Sequence, residues 1–125
     1  MFERHFFGEG RFMAIPRFDL HKVDFVLEWE GRLIKVQVKT MSPLVTERGR
    51  HYIAAISSSR KGYKTRQPYQ EGEVDYFGIV NLDYEHIWMV PFKATENKRS
   101  LNWIPPGYRK RRKPTAFNWD PYRIK

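Results

Sequence analysis

Asp24, Gln37 and Lys39 are the residues whose types and spacing point to chemistry. A carboxylate and an amide oxygen are hard ligands suited to Mg²⁺, and a neighbouring ammonium can orient a water nucleophile or offset charge on a phosphate. All three lie in KVDFVLEWEGRLIKVQVKT, residues 22–40, where apolar residues alternate through Val23, Phe25, Leu27 and Trp29 and resume out of phase through Ile34, Val36 and Val38. That period of two predicts two strands. Between them stand Glu30 and Gly31, and Gly readily supplies the positive φ of a tight hairpin turn. With these two residues as the loop, Trp29 pairs with Arg32, Phe25 with Val36 and Val23 with Val38, and one face is almost wholly apolar. On the other face Asp24 stands opposite Gln37, with Lys39 two residues further along, and opposed Cβ atoms are roughly 4.5–5.5 Å apart. The solvated side of an amphipathic hairpin has the same pattern, because alternating strands commonly have a polar face.

The order of residues around this trio resembles a known family. Asp24, followed thirteen positions on by Gln37-Val38-Lys39, is similar to the core of the PD-(D/E)XK nuclease superfamily, with Gln in the (D/E) position. The strand VQVKT more narrowly resembles the group I intron-associated homing endonuclease branch. Upstream, GRFMAIP at 10–16 is similar to the family's glycine, strand and proline lead-in; downstream, Ser57-Ser58-Ser59-Arg60, EVDYF at 73–77 and IWMVP at 87–91 follow the family order. The resemblance therefore covers residues 10–91. It implies an α/β, restriction-endonuclease-like fold with a central mixed, mostly antiparallel sheet of about five strands. The N-terminal helix is expected to be truncated, since the aromatic pattern of Phe2, Phe6 and Phe7 leaves one or two turns before Gly8 or Gly10.

The same resemblance implies a metal-dependent endonuclease hydrolysing phosphodiester bonds of double-stranded DNA, with Mg²⁺ as cofactor and Mn²⁺ as a substitute. Asp24 and Gln37 would ligate the metal with the carbonyl of Val38, and Lys39 would position the attacking water. A homing role is one form of this activity. Cutting both strands needs two active sites, which implies a homo-oligomer, dimer or tetramer. The implied setting is the cytoplasm of a bacterium or phage host, or an organelle.

The whole chain bounds these readings. Its 125 residues fit a single domain with one core. Hydrophobic content of 41%, with 16% aromatic residues, excludes wholesale disorder. A net charge of +9 favours a polyanionic partner, most commonly nucleic acid. Cysteine is absent, which removes disulfides, thiolate zinc sites and Cys nucleophiles together. His5, His21, His51 and His86 lack ligand spacing and read as surface or packing residues. No apolar run approaches the roughly 20 residues of a membrane span, and no signal-peptide pattern opens the chain; a soluble, intracellular protein is expected.

Along the chain, residues 11–15 read as a short strand ended by Pro16. Asp19 reads as a turn residue that could fold back toward Asp24. MSPLVTERGRHY after Thr40 reads as a turn-rich connector, and residues 52–57 as a strand with Ile53 and Ile56 among its core positions. Ser58, Ser59, Arg60, Lys61, Lys64 and Arg66 then interleave cations and hydroxyls with Tyr63 and Tyr69. Such a loop can track a phosphate backbone. Residues 76–81 and 86–91 form a second hairpin, too apolar for a one-sided sheet and so central or facing a subunit partner. Asp75 at its entrance reads as a turn or pairing residue rather than a ligand. A last strand is expected over 100–104, ended by Pro105-Pro106-Gly107.

The nuclease-like domain is thus expected over 1–108. Residues 109–125 form a tail in which Arg109, Lys110, Arg111, Arg112 and Lys113 offer phosphate contacts. Phe117, Trp119 and Tyr122 are expected to return to the core. Two other classes share these features: a DNA-binding relic without catalysis, and a basic RNA-binding β protein in which the trio is merely surface.

Overall fold

The computed structural model describes residues 1–8, 10, 12–15, 23–46, 49–58, 67–96, 98–107 and 117–125. Among these described residues one short α-helix, α1 (Phe2–Gly8), precedes ten strands: β1 (Met13–Ala14), β2 (Phe25–Trp29), β3 (Arg32–Thr40), β4 (Ser42–Thr46), β5 (Gly49–Ala55), β6 (Ser57–Ser58), β7 (Gln67–Pro68), β8 (Tyr76–Asn81), β9 (His86–Pro91) and β10 (Ser100–Trp103). The central sheet has five strands in the order β1-β2-β3-β8-β9, with β3 and β8 parallel and every other pair antiparallel. It is the expected mixed, mostly antiparallel sheet, and α1 is the expected short helix. A three-stranded sheet, β10-β5-β4, and the two-stranded pair β6-β7 complete the framework. Among the described residues, no helix is long and apolar enough to cross a membrane.

The β2-β3 hairpin forms for the reasons its residues suggest. Glu30 (φ 51°) and Gly31 (φ 79°) are both left-handed, as a two-residue type I′ turn requires, and this turn matches the twist of the flanking strands. Trp29 accordingly faces Arg32, and the register runs unbroken to Phe25 opposite Val36. There it departs from simple alternation. The Asp24 N–H donates to the Val36 carbonyl at 2.9 Å, so Asp24 and Phe25 both oppose Val36, the pattern of a β-bulge. A bulge adds one residue and reverses the parity of everything before it. Val23 therefore packs with one apolar cluster and Val38 with the other, which corrects the expected Val23–Val38 pair.

The two clusters lie on opposite faces of the central sheet, because successive strand residues alternate sides. Phe25, Leu27, Ile34, Val36, Val80, Ile87 and Met89 meet Phe2 and Phe6 of α1. On the reverse face Phe77, Ile79, Trp88 and Val90 meet Tyr52, Ala54 and Ile56 from the β5 region, with Leu101 of β10. Strands β8 and β9 are thus covered on both sides within the chain, which explains their nearly continuous apolar sequence.

A seven-residue helix gains little from its own hydrogen bonds, so α1 depends on docking. Phe2 stacks on Phe25 at 5.6 Å and contacts Phe6 at 4.7 Å, and the room for its ring exists because residue 78 has no side chain. A Cβ on Gly78 would overlap that ring. Gly78→Ala is therefore expected to destabilise the protein by about 1–3 kcal/mol through overpacking, measured as a lowered urea midpoint.

Three expectations are revised. The segment after Thr40 is a β-hairpin, not a connector: β4 tolerates Pro43 because it is an edge strand, pairing only with β5, so the missing N–H costs no ladder bond. On β5 the inward residues are Tyr52 and Ala54, while Ile53 is half-buried on the alternate side. The first strand is only two residues long.

At the other edge, the end of the chain lies along β9. Arg123 bridges to Trp88, the Ile124 N–H donates to the Ile87 carbonyl at 2.9 Å, and the Ile87 N–H donates to the Lys125 carbonyl at 3.2 Å. The Arg123 guanidinium donates to His86 Nδ1 at 3.1 Å, which puts the ring proton of a neutral imidazole on Nε2. Partial burial and this adjacent cation both hold the His86 pKa below its usual value. Trp119 is buried, its Nε1–H donating to the Asn102 carbonyl at 2.7 Å. Tyr52, buried beside Asp83, donates its hydroxyl to Oδ2 at 2.8 Å; burial first and that carboxylate second raise the phenol pKa. The contact ties β5 to the β8-β9 turn.

Candidate active site

Strand β3 carries the candidate residues, and its two edges are finished by aspartates. The N–H and C=O of one strand residue leave on the same edge. Val36 and Val38 therefore address β2, while Lys35, Gln37 and Lys39 address β8. On the β2 side the ladder stops at Phe25, and the next β3 amide, Val38, donates to Asp24 Oδ2 at 2.8 Å. On the β8 side the ladder starts with Val36 opposite Tyr76, and the preceding amide, Lys35, donates to Asp75 Oδ2 at 2.8 Å. Asp75 also donates its own N–H to the Lys35 carbonyl at 2.9 Å. Each carboxylate replaces the missing strand, and charge-assisted bonds of this kind are stronger than neutral ones.

The bulge changes how Asp24 reaches the site. Instead of standing directly across from Gln37, Asp24 is drawn toward Val36 and its carboxylate is held on the Val38 amide. Val38 is the middle residue of Gln37-Val38-Lys39, so the carboxylate is bound to the backbone of that triplet. With Oδ2 bonded to that amide, Oδ1 is the other acceptor atom of the group. The Val38 carbonyl leaves β3 on the same edge, beyond the last ladder pair.

Gln37 and Lys39 extend from the sheet face occupied by their β8 partners, Phe77 and Ile79. Both are half-buried. Residues 69–74 strap across this face in a turn where the Glu73 N–H donates to the Gln70 carbonyl at 3.1 Å and the Gln70 N–H to Glu73 Oε1 at 2.9 Å. At one end of the strap Lys35 Nζ donates to the Gly72 carbonyl. At the other, Lys39 Nζ lies 5.2 Å from the centre of the buried Tyr69 ring, a cation–π distance. Gln37 lies between them along β3, and no described residue hydrogen-bonds its side-chain amide.

The donors at this end of β3 are the Asp24 carboxylate, the Gln37 amide oxygen and the Val38 carbonyl. All are oxygens, as Mg²⁺ and Mn²⁺ prefer, so the residues present fit such a cation. Among the described residues no group of three His, Asp or Glu gathers, at this end of β3 or at any other place. Glu3 on α1 is exposed.

Sequence reasoning did not single out Tyr69 as a neighbour of Lys39 or Asp75 as a clasp on β3. Tyr69 gives no local signal, being thirty positions from the lysine it touches; Asp75 is signalled only by standing one residue before a strand. Ser58 lies in β6, paired with Gln67 of β7. Ser59, Arg60, Lys61, Lys64 and Arg66 lie outside the described residues, as do Asp19, Arg109, Lys110, Arg111 and Arg112.

Comparison with known proteins adds two findings. The family described as PD-(D/E)XK endonuclease matches residues 4–122. Among solved structures, that of a bacterial homing endonuclease, I-Ssp6803I, is similar with a TM-score of 0.75, covering 97% of this chain and 80% of its own, at 21% identity. At that identity the likeness is one of fold. No curated protein sequence matches.

Proposed function

Because the chain belongs to the PD-(D/E)XK endonuclease family, we propose that it is a metal-dependent endonuclease that hydrolyses phosphodiester bonds of double-stranded DNA. The observation that carries this reading is the Asp24 carboxylate fixed on the amide of Val38, the residue that stands between Gln37 and Lys39 in the sequence. A carboxylate beside a second oxygen ligand and an ammonium can attend to the attacking water and to the phosphate it attacks.

Asp24, Gln37 and the Val38 carbonyl would hold Mg²⁺, or Mn²⁺ in its place. Bound there, the cation supplies Lewis-acid polarisation of a phosphoryl oxygen. Lys39 donates a hydrogen bond to the attacking water and offsets the negative charge that grows on the phosphorane oxygens as the new P–O bond forms and the old one breaks. Asp24 contributes the formal negative charge among the three protein donors. Gln37 is neutral, so cation affinity relies more on substrate phosphate oxygens than it would with two carboxylates.

Phosphate contacts are assigned to Ser58, Ser59, Arg60, Lys61, Lys64 and Arg66, and to Arg109, Lys110, Arg111 and Arg112. The net charge of +9 supports these assignments, and binding through them weakens steeply with salt. Likeness to I-Ssp6803I supports a homing-type activity. A homo-oligomer, dimer or tetramer, brings together the two active sites that a double-strand break needs.

The reading is tested by plasmid nicking in Mg²⁺ and in Mn²⁺ against an EDTA control. Conversion of supercoiled to nicked or linear DNA only with metal is the expected result; DNA bound but uncut under every condition overturns it. A finer check addresses the glutamine. Gln37→Glu adds a negative ligand and is expected to tighten Mn²⁺ binding roughly tenfold, since ligand charge count tunes affinity at oxygen sites. Calorimetry reads this directly, and unchanged affinity would remove Gln37 from the ligand set.

A further inference from the structure

We propose that Tyr69 is a positioning residue for the Lys39 ammonium during DNA cleavage, an inference that rests on the nuclease reading above. Lys39 Nζ stands 5.2 Å from the Tyr69 ring centre. The negative π face of an aromatic ring attracts an ammonium and holds it in one place over the ring. The ring itself is held: Tyr69 is 7% exposed and packs edge-on against Phe77 at 5.2 Å and 76°, and Phe77 is the β8 residue paired with Gln37. One aromatic contact thus joins the lysine, the ring beneath it and the strand beside the glutamine.

The chain on either side strengthens the assignment. Just before Tyr69, the β6-β7 pair fixes its entry, with Ser57 opposite Pro68 and Ser58 opposite Gln67. Just after it, Gly72 accepts from Lys35 Nζ and the Glu73 carboxylate accepts from the Gln70 N–H. Tyr69 is therefore clamped on both flanks, and Lys39 finds a surface prepared in advance of substrate. A lysine stem has several rotatable bonds, and placing its ammonium before the reaction removes an ordering cost from the transition state.

The expected kinetic signature is a loss in kcat without a loss in binding. Tyr69→Leu should lower kcat about tenfold, with KM and DNA affinity within about twofold because phosphate contacts are distributed over many residues. Tyr69→Phe keeps the ring and should restore kcat to near that of the unmodified protein. A series of phenylalanines of rising ring fluorination at position 69 serves if Tyr69→Leu does not fold. Fluorination weakens the π face at nearly constant shape, so kcat should fall in step with it.

The contact itself has a readout that needs no activity. Lys39 ε-methylene protons above the Tyr69 ring should resonate upfield of those of the other lysines, and Tyr69→Leu should abolish the displacement. Metal-dependent cleavage without an upfield Lys39 signal, or with kcat indifferent to ring fluorination, overturns the positioning role while leaving the nuclease reading intact. An upfield signal in a protein that never cleaves DNA overturns the nuclease reading, and the catalytic role of Tyr69 falls with it.

Discussion

Lys39→Ala is expected to lower the rate of DNA cleavage by on the order of 10²–10³-fold, the usual consequence of removing one group aimed at developing transition-state charge. DNA affinity should change by less than about threefold, since six to ten phosphate contacts share the binding in a typical complex. The fold should survive as well. Lys39 is half-buried beside Tyr69 at the edge of the 69–74 strap rather than within either apolar cluster, and its stem does not carry the sheet. Single-turnover cleavage and a filter-binding titration on the same preparation measure both quantities. Equal losses in rate and affinity would make Lys39 a phosphate anchor instead.

Asp24 separates charge from hydrogen bonding. Asp24→Asn leaves an amide oxygen able to accept from the Val38 N–H, so stability should change by no more than about 1 kcal/mol. Cleavage should nevertheless fall on the order of 10³-fold, because under the proposed mechanism the variant lacks the charged ligand for the cation, and metal assistance supplies several kcal/mol of transition-state stabilisation. Asp24→Ala should lose cleavage equally and also about 1–3 kcal/mol of stability, since the Val38 amide then lacks its 2.8 Å acceptor. Urea denaturation of the two variants gives the difference. If Asp24→Asn cleaves normally, the carboxylate serves only the sheet.

Much of this architecture was legible from local rules. Glu30-Gly31 fixes a type I′ turn, the turn fixes the hairpin register, and the apolar runs at 76–81 and 86–91 could hardly be anything but strands buried on both sides. What escaped depends on relations that local patterns do not encode. Pro43 argued against a strand because sequence does not reveal that β4 has only one neighbour. The bulge at Asp24 left no mark, since the alternation through Val23 and Phe25 reads the same with or without it. The Tyr69 contact with Lys39 and the Asp75 clasp on Lys35 come from the long crossover between parallel strands β3 and β8, and no spacing rule spans that distance.

The pairing of the last three residues with β9 bears on how the protein behaves in concentrated solution. An open sheet edge is a template for another chain, and β9 is rich in Ile, Trp, Met and Val. Arg123, Ile124 and Lys125 occupy that template along Ile87 and Trp88, and two of the three are cationic. Residues 123–125 thereby guard this edge against edge-to-edge aggregation.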